Sequence, residues 1–401
     1  MDRTALIDEI RQIGDYVSRR EMGKMEKGIT KDFNFVSASL SHFLPGLDQD
    51  EHPSFYLEMM RHRSLAVLHS DLPQLVHKMS VRKGGGPEKG QSPEDSRKAP
   101  FVPVVGAPMI YCGYHLGSYR AIIGYMVREN LNFGLLLDKR TFLEQGDAVR
   151  QSIQELREST GKEVQFTLFN AEDPLSLVAI SKWMRDSNPI VAYIDGNTGY
   201  GGLYNEKESL FMEMELFGHP IKCRKGIALL SYLMQVPIVP AISYFENQED
   251  APILEIHAPI CPWNSRETKE QYMQRANQAL FQILEEKLAR YPSQWEAWLY
   301  VHKFIPARLL KEEALQAAND ADAGMLCFNK KGFGLFKMGE KAYLFNRTNY
   351  SSFEIPPALF DILEELRGRH SFGYAEAGLS TGNLSTLIRK NILSHITPSA
   401  K

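Results

Sequence analysis

The sequence predicts an α/β protein: a mostly parallel sheet flanked by helices, with an N-terminal helical segment and a small C-terminal α+β module. Three observations carry this reading. From residue 101 onward, short apolar runs alternate with helical segments of 10 to 20 residues, the pattern of strands joined by crossover helices. His115, Asp138 and Asp195 each follow one of those runs within a few residues, as functional groups do at the carboxyl edge of a parallel sheet. A chain of 401 residues is also long enough to bury a sizeable core and to form more than one domain.

In chain order, residues 1–82 read as a helical region, clearest where Leu65, Leu68, Leu72, Leu75, Val76 and Met79 recur three and four apart. Such a stripe packs on a neighbouring domain or contacts a membrane surface. Residues 83–100, from Lys83-Gly84-Gly85-Gly86-Pro87 to Ser96, hold breakers and no apolar anchor, which predicts a flexible linker. The α/β domain then spans 101–310. Its strands are expected at 102–105, 109–112, 133–137, 164–169, 190–194 and 237–244, and its helices at 120–130, 145–159, 174–186, 226–234 and 268–290. A polar, Ala-rich linker helix follows at 311–324. In 325–401 the runs Gly334-Leu335-Phe336-Lys337 and Ala342-Tyr343-Leu344-Phe345 flank Gly339-Glu340, and helical patterns follow at 356–366 and 384–392. A hairpin and helices in so short a stretch suggest a winged-helix-like module.

Composition narrows the function. Charged residues make up 24% and the formal net charge is -3, with no basic stripe, so nucleic acid is not an expected partner. The four cysteines, Cys112, Cys223, Cys261 and Cys327, form no C-x-x-C pair, which argues against a disulfide framework and a zinc site. No metal is expected. No apolar run reaches membrane-spanning length, and a soluble, cytoplasmic protein with possible peripheral membrane association is the expectation.

The residues that could carry chemistry centre on Ile110-Tyr111-Cys112-Gly113-Tyr114-His115-Leu116-Gly117-Ser118-Tyr119-Arg120. An apolar run meets a glycine, a histidine stands where the strand should end, and a second glycine precedes an apolar helix. A histidine placed there can remove a proton from a hydroxyl or amine. Cys112 is the other conceivable nucleophile, although its place in the apolar run favours a small buried side chain.

His115-Leu116-Gly117-Ser118-Tyr119-Arg120 resembles the His-Leu-Gly-Asn-Trp-Glu motif of the lysophospholipid and lipid A biosynthesis acyltransferases. Further matches follow in order: Ile190 to Gly199, an apolar strand ending in Asp and a Gly-rich loop; Phe217-Gly218-His219-Pro220; Lys225 to Ser231; Val236-Pro237-Ile238-Val239-Pro240; and Tyr291-Pro292-Ser293-Gln294-Trp295 with Trp298 and His302. The resemblance covers about 101–305. It implies a glycerolipid-acyltransferase-like fold and transfer of a fatty acyl group from an acyl carrier protein or coenzyme A thioester to a hydroxyl or amine. The thioester is a co-substrate, and no cofactor is implied. His115 is then the general base, backbone N–H groups near Gly117 and the following helix stabilise the oxyanion, and Gly117 and Ser118 line the substrate site.

One position departs from the family. Its acid, five residues after the histidine, is Arg120 here. Either another carboxylate supports His115, with Asp195 the first choice and Asp138 the second, or the scaffold is a catalytically silent acyl- or peptide-binding protein. Arg120 suits an acceptor carboxylate or phosphate as well as a structural ion pair. Arg140 suits a phosphate contact or a solvated charge cluster, and Asn197 and Thr198 a substrate loop or a plain turn. Residues 333–393 also resemble the winged-helix leader-peptide-recognition domains of peptide-modifying enzymes, which implies a peptide acceptor as an alternative to a lysolipid.

Overall fold

In a computed structural model, the described residues are 30–71, 79–84, 107–196, 208–246, 251–263, 266–310 and 325–395, with helical residues between 12 and 24. The expected strand at 102–105, the linker helix at 311–324 and most of the linker 83–100 lie outside them. The chain forms two compact units, one from residues 58–297 with 1–17, the other from 18–57 and 298–401. The N-terminal helical region thus contributes residues to both. Two helices precede the first strand, α1 (Lys31–Phe43) and α2 (His52–Asp71).

The first unit is built on a seven-stranded sheet. Its strands are β1 (Ser80–Lys83), β2 (Ile110–Gly113), β3 (Phe133–Leu137), β4 (Phe166–Asn170), β5 (Ile190–Tyr193), β8 (Ile238–Tyr244) and β9 (Ile253–Ile256), in the order β1-β9-β8-β2-β5-β3-β4. Strands β8, β2, β5, β3 and β4 run parallel, β9 is antiparallel to β8, and β1 pairs parallel with β9. All residues of β2, β8 and β9 are buried, as expected of strands covered on both faces. The connecting helices are α3 (Ala121–Arg128), α4 (Lys139–Thr160), α5 (Ser176–Arg185), α6 (Gly226–Met234) and α7 (Lys269–Leu288). Ile122, Met126, Phe133, Leu135, Val191 and Val239 lie in the core between sheet and helices.

Several elements depart from expectation. Of the helical stripe, Leu65 and Leu68 lie on α2, Leu72, Leu75 and Val76 lie outside the described residues, and Met79 directly precedes the strand Ser80–Lys83, which is secured by the pairing Ser80↔Ile253. β1 (Ser80-Val81-Arg82-Lys83) and β9 (Ile253-Leu254-Glu255-Ile256) each contain charged residues, unlike the central strands β2, β5 and β8. An antiparallel hairpin, β6 (Phe211–Leu216) and β7 (His219–Arg224), turns through Phe217 and Gly218 at φ 51° and 73°. Phe211-Met212-Glu213-Met214-Glu215-Leu216 alternates at the period of a half-buried strand, so its signal was present in the sequence. Helix α4 starts six residues before the expected 145 because Asp138 caps it.

The second unit contains α1 and a three-stranded antiparallel sheet of β11 (Phe333–Met338), β12 (Lys341–Asn346) and β13 (Ser352–Ile355). Strand β10 (Leu326–Phe328) pairs with β14 (Leu393–His395) in a second, smaller sheet. Helices Pro357–Gly368 and Thr381–Arg389 pack with them around Leu335, Phe360, Leu363 and Phe372. Asn34 on α1 donates to the Leu335 carbonyl at 3.1 Å, and Phe35 packs against Phe345 and His302.

Candidate active site

Parallel pairing brings the two central groups together. Gly113 at the end of β2 is the register partner of Tyr193 at the end of β5. His115 and Asp195 each stand two residues further on, so equal offsets from a paired register place them side by side at the carboxyl edge. Gly113 is required by this arrangement, since a Cβ there would meet the Tyr193 ring at 2.7 Å.

The Asp195 carboxylate accepts three donors. The His115 main-chain N–H reaches Oδ1 at 3.0 Å and Oδ2 at 2.9 Å, His115 Nδ1 lies 2.8 Å from Oδ1, and Trp295 Nε1 donates to Oδ2 at 2.7 Å. The carboxylate is buried and acceptor-only, so the neutral imidazole carries its proton on Nδ1 and presents an Nε2 lone pair. Burial lowers the pKa of His115, but the charge and hydrogen bond of Asp195 outweigh it, helped by Glu296 and opposed by Arg120, and the net direction is upward from 6.5. The ring stays 21% exposed. Tyr119 and Tyr193 flank it at centroid distances of 4.8 and 5.1 Å, and the Tyr193 hydroxyl donates to the Tyr119 carbonyl at 3.0 Å.

The loop that carries His115 is fixed from the far end of the domain. Glu296 N–H donates to the His115 carbonyl at 3.0 Å, Gly117 N–H donates to the Gln294 carbonyl at 3.0 Å, and Leu116 bridges to Trp295. Gln294 also clasps Phe245 through both its main-chain groups, at 2.9 and 2.8 Å. Tyr114 donates to the Leu280 carbonyl of α7 at 2.8 Å. Gly117 has φ +54°, and a Cβ would meet the Ser243 carbonyl at 2.7 Å, so both its backbone angle and its surroundings demand glycine. Gln294 and Trp295 were visible only as part of a motif; their contacts with residues far back in the chain have no local signature. Replacing Trp295 with Phe keeps the ring and deletes one donor to a buried carboxylate. A loss of about 1.5–3 kcal/mol in denaturant unfolding is expected.

The other sequence candidates fall elsewhere. Asp138 is the N-cap of α4, accepting from Thr141 N–H at 3.0 Å, rather than a partner of His115. Asp138→Ala should therefore destabilise the fold by about 0.5–2 kcal/mol, read by thermal or denaturant unfolding. It should leave kcat unchanged. Arg140 is 77% exposed and pairs with Glu144 at 2.9 Å on the same helix. The Gly117 N–H is engaged by Gln294 and cannot serve an oxyanion, whereas the N–H groups of Ser118 and Tyr119 have no acceptor among the described residues. Ser118 is buried. Asn197 and Thr198 lie outside the described residues. Cys112 is fully buried, and burial pushes its thiol pKa up, the reverse of what a nucleophilic thiolate needs.

Among the described residues, no cluster of His, Cys, Asp and Glu could hold a metal ion, and no helix is long and apolar enough to cross a membrane. Comparison with protein families matches residues 147–303 to the model described as bacterial lipid A biosynthesis acyltransferase. That segment contains Asp195, Gln294 and Trp295 and begins after His115. No curated protein matches the chain.

Proposed function

We propose, from the match of residues 147–303 to the model of the bacterial lipid A biosynthesis acyltransferases, that this protein transfers a fatty acyl group from an acyl carrier protein or coenzyme A thioester to a hydroxyl or amine. The observation that carries the reading is the Asp195 carboxylate 2.8 Å from His115 Nδ1, which supplies from β5 the support that Arg120 cannot give. His115 Nε2 takes the proton of the acceptor as its oxygen or nitrogen attacks the thioester carbonyl. The carbon–sulfur bond then breaks, and the imidazolium returns the proton to the departing thiolate, so no net proton or electron is consumed. Asp195 stabilises the imidazolium between these steps. The unengaged N–H groups of Ser118 and Tyr119 offer donors for the transient oxyanion.

The acceptor is a lysolipid or a peptide. The edge strand β13, with Phe353 47% exposed, suits an extended peptide. The test is intact-mass analysis of lysolipid and peptide acceptors incubated with long-chain acyl thioesters. Mass gain by one acyl group is the expected result. Measurable binding without product across both acceptor classes would identify a catalytically silent binding protein instead.

A further inference from the structure

Arg120 closes the loop that carries His115 and immediately precedes α3. Its side chain is half-buried, with the guanidinium carbon 5.7 Å from the Tyr119 ring centroid, and that ring in turn packs against the imidazole. Among the described residues, the guanidinium makes no hydrogen bond and no ion pair. The acids facing the imidazole have partners other than Arg120: Asp195 has its three donors, and Glu296 pairs with Arg63 at 3.1 Å. Among the described residues, Tyr119 and Tyr193 are the titratable rings packed against it.

A half-buried guanidinium without a counter-charge is costly, and it opposes protonation of the base beside it. An anion seated on the guanidinium removes both penalties. We propose that Arg120 binds an anionic group, a carboxylate or a phosphate, on the acyl acceptor, and that its occupation completes the charge balance of the site. The planar fork of an arginine takes two oxygens of either group. The identity of the anion's carrier as acyl acceptor rests on the acyl-transfer reading; the anion site itself does not. The position that separates this chain from the family motif then selects the acceptor, and an acceptor with the charge removed should lose about 10- to 100-fold in kcat/KM.

Two measurements separate the parts. In the first, the His115 ring resonances are followed by NMR as inorganic phosphate or acetate is added to wild type, Arg120→Gln and Arg120→Lys, with glycerol as the neutral control. A saturable shift with at least one anion is expected in wild type, absent in Arg120→Gln and weakened in Arg120→Lys. No shift in wild type, or an equal shift in Arg120→Gln, would overturn the anion site. If Arg120→Gln does not fold, Arg120→Lys decides, since an undiminished response there also overturns the role of the fork. In the second, phosphoethanolamine is compared with ethanolamine, and β-alanine with β-alaninamide, as acceptors of a palmitoyl group from coenzyme A. The charged member of one pair should be preferred by wild type through KM, with the preference lost in Arg120→Gln. Equal rates within both pairs would overturn the acceptor assignment while leaving acyl transfer intact. An anion-dependent shift without acylation of any acceptor would retain the anion site, overturn the acceptor assignment and reject the transferase reading.

Discussion

Asp195→Asn should lower kcat/KM for acyl transfer by about 10²- to 10⁴-fold while leaving the fold in place. The amide keeps the shape of the carboxylate and an acceptor oxygen, so Trp295 and the His115 main chain can retain a partner. What it loses is charge and acceptor-only character. An amide N–H turned toward Nδ1 forces the imidazole proton onto Nε2, which removes the lone pair that faces the acceptor. The pH profile distinguishes this from general damage. In wild type, activity rises with pH as His115 becomes neutral, through a pKa lying above 6.5. Removing the carboxylate lowers that pKa, so the acid limb of the residual activity should move to lower pH even as the plateau falls. The stability consequence has the opposite pH sense. A histidine pKa raised in the folded state contributes stability that is fully present below the unfolded value and lost as pH rises through the folded one. Asp195→Asn should therefore cost more stability at pH 5 than at pH 9, as denaturant titrations at the two values would show. A normal pH profile with normal turnover would remove Asp195 from the mechanism.

His115→Ala is the second large effect, an expected fall of at least about 10²-fold, read as product per enzyme by intact mass. The imidazole is partly exposed, and among the described residues its aromatic contacts are Tyr119 and Tyr193, so binding of the acyl thioester should survive. Turnover retained at the wild-type rate would sink the proposed base. Loss of turnover with thioester affinity unchanged would place the defect in chemistry rather than in recognition.

The central sheet was legible because its strands are short apolar runs bounded by breakers, and β3 was expected at 133–137 and found there. The proximity of Asp195 to His115 follows from the same pattern, since adjacent parallel strands present their following residues together. Asp138 has the same local credentials, a carboxylate just after an apolar run, yet it caps a helix. Sequence near a strand end cannot distinguish a cap from a site acid, because both need a short acidic side chain at a strand-to-helix turn. Tyr193, Gln294 and Trp295 were hidden for another reason: their roles exist only when segments distant in the chain are brought into register. The peripheral strands β1 and β9 are not legible because Arg82, Lys83 and Glu255 interrupt any apolar run, and their extension is fixed only when a neighbour pairs with them.

The anchoring of the His115 loop by residues 294–296 has a consequence for timing during synthesis. Asp195 must wait for an indole 100 residues further along, and the His115 carbonyl and the Gly117 N–H wait for the same short segment. A ribosome-bound chain that has not yet released Trp295 holds the histidine and the aspartate but not the clasp that orients them. The clasp therefore forms only after residues 294–296 emerge from the exit tunnel. Any chemistry at His115 is thereby held back until the unit that surrounds it is nearly whole.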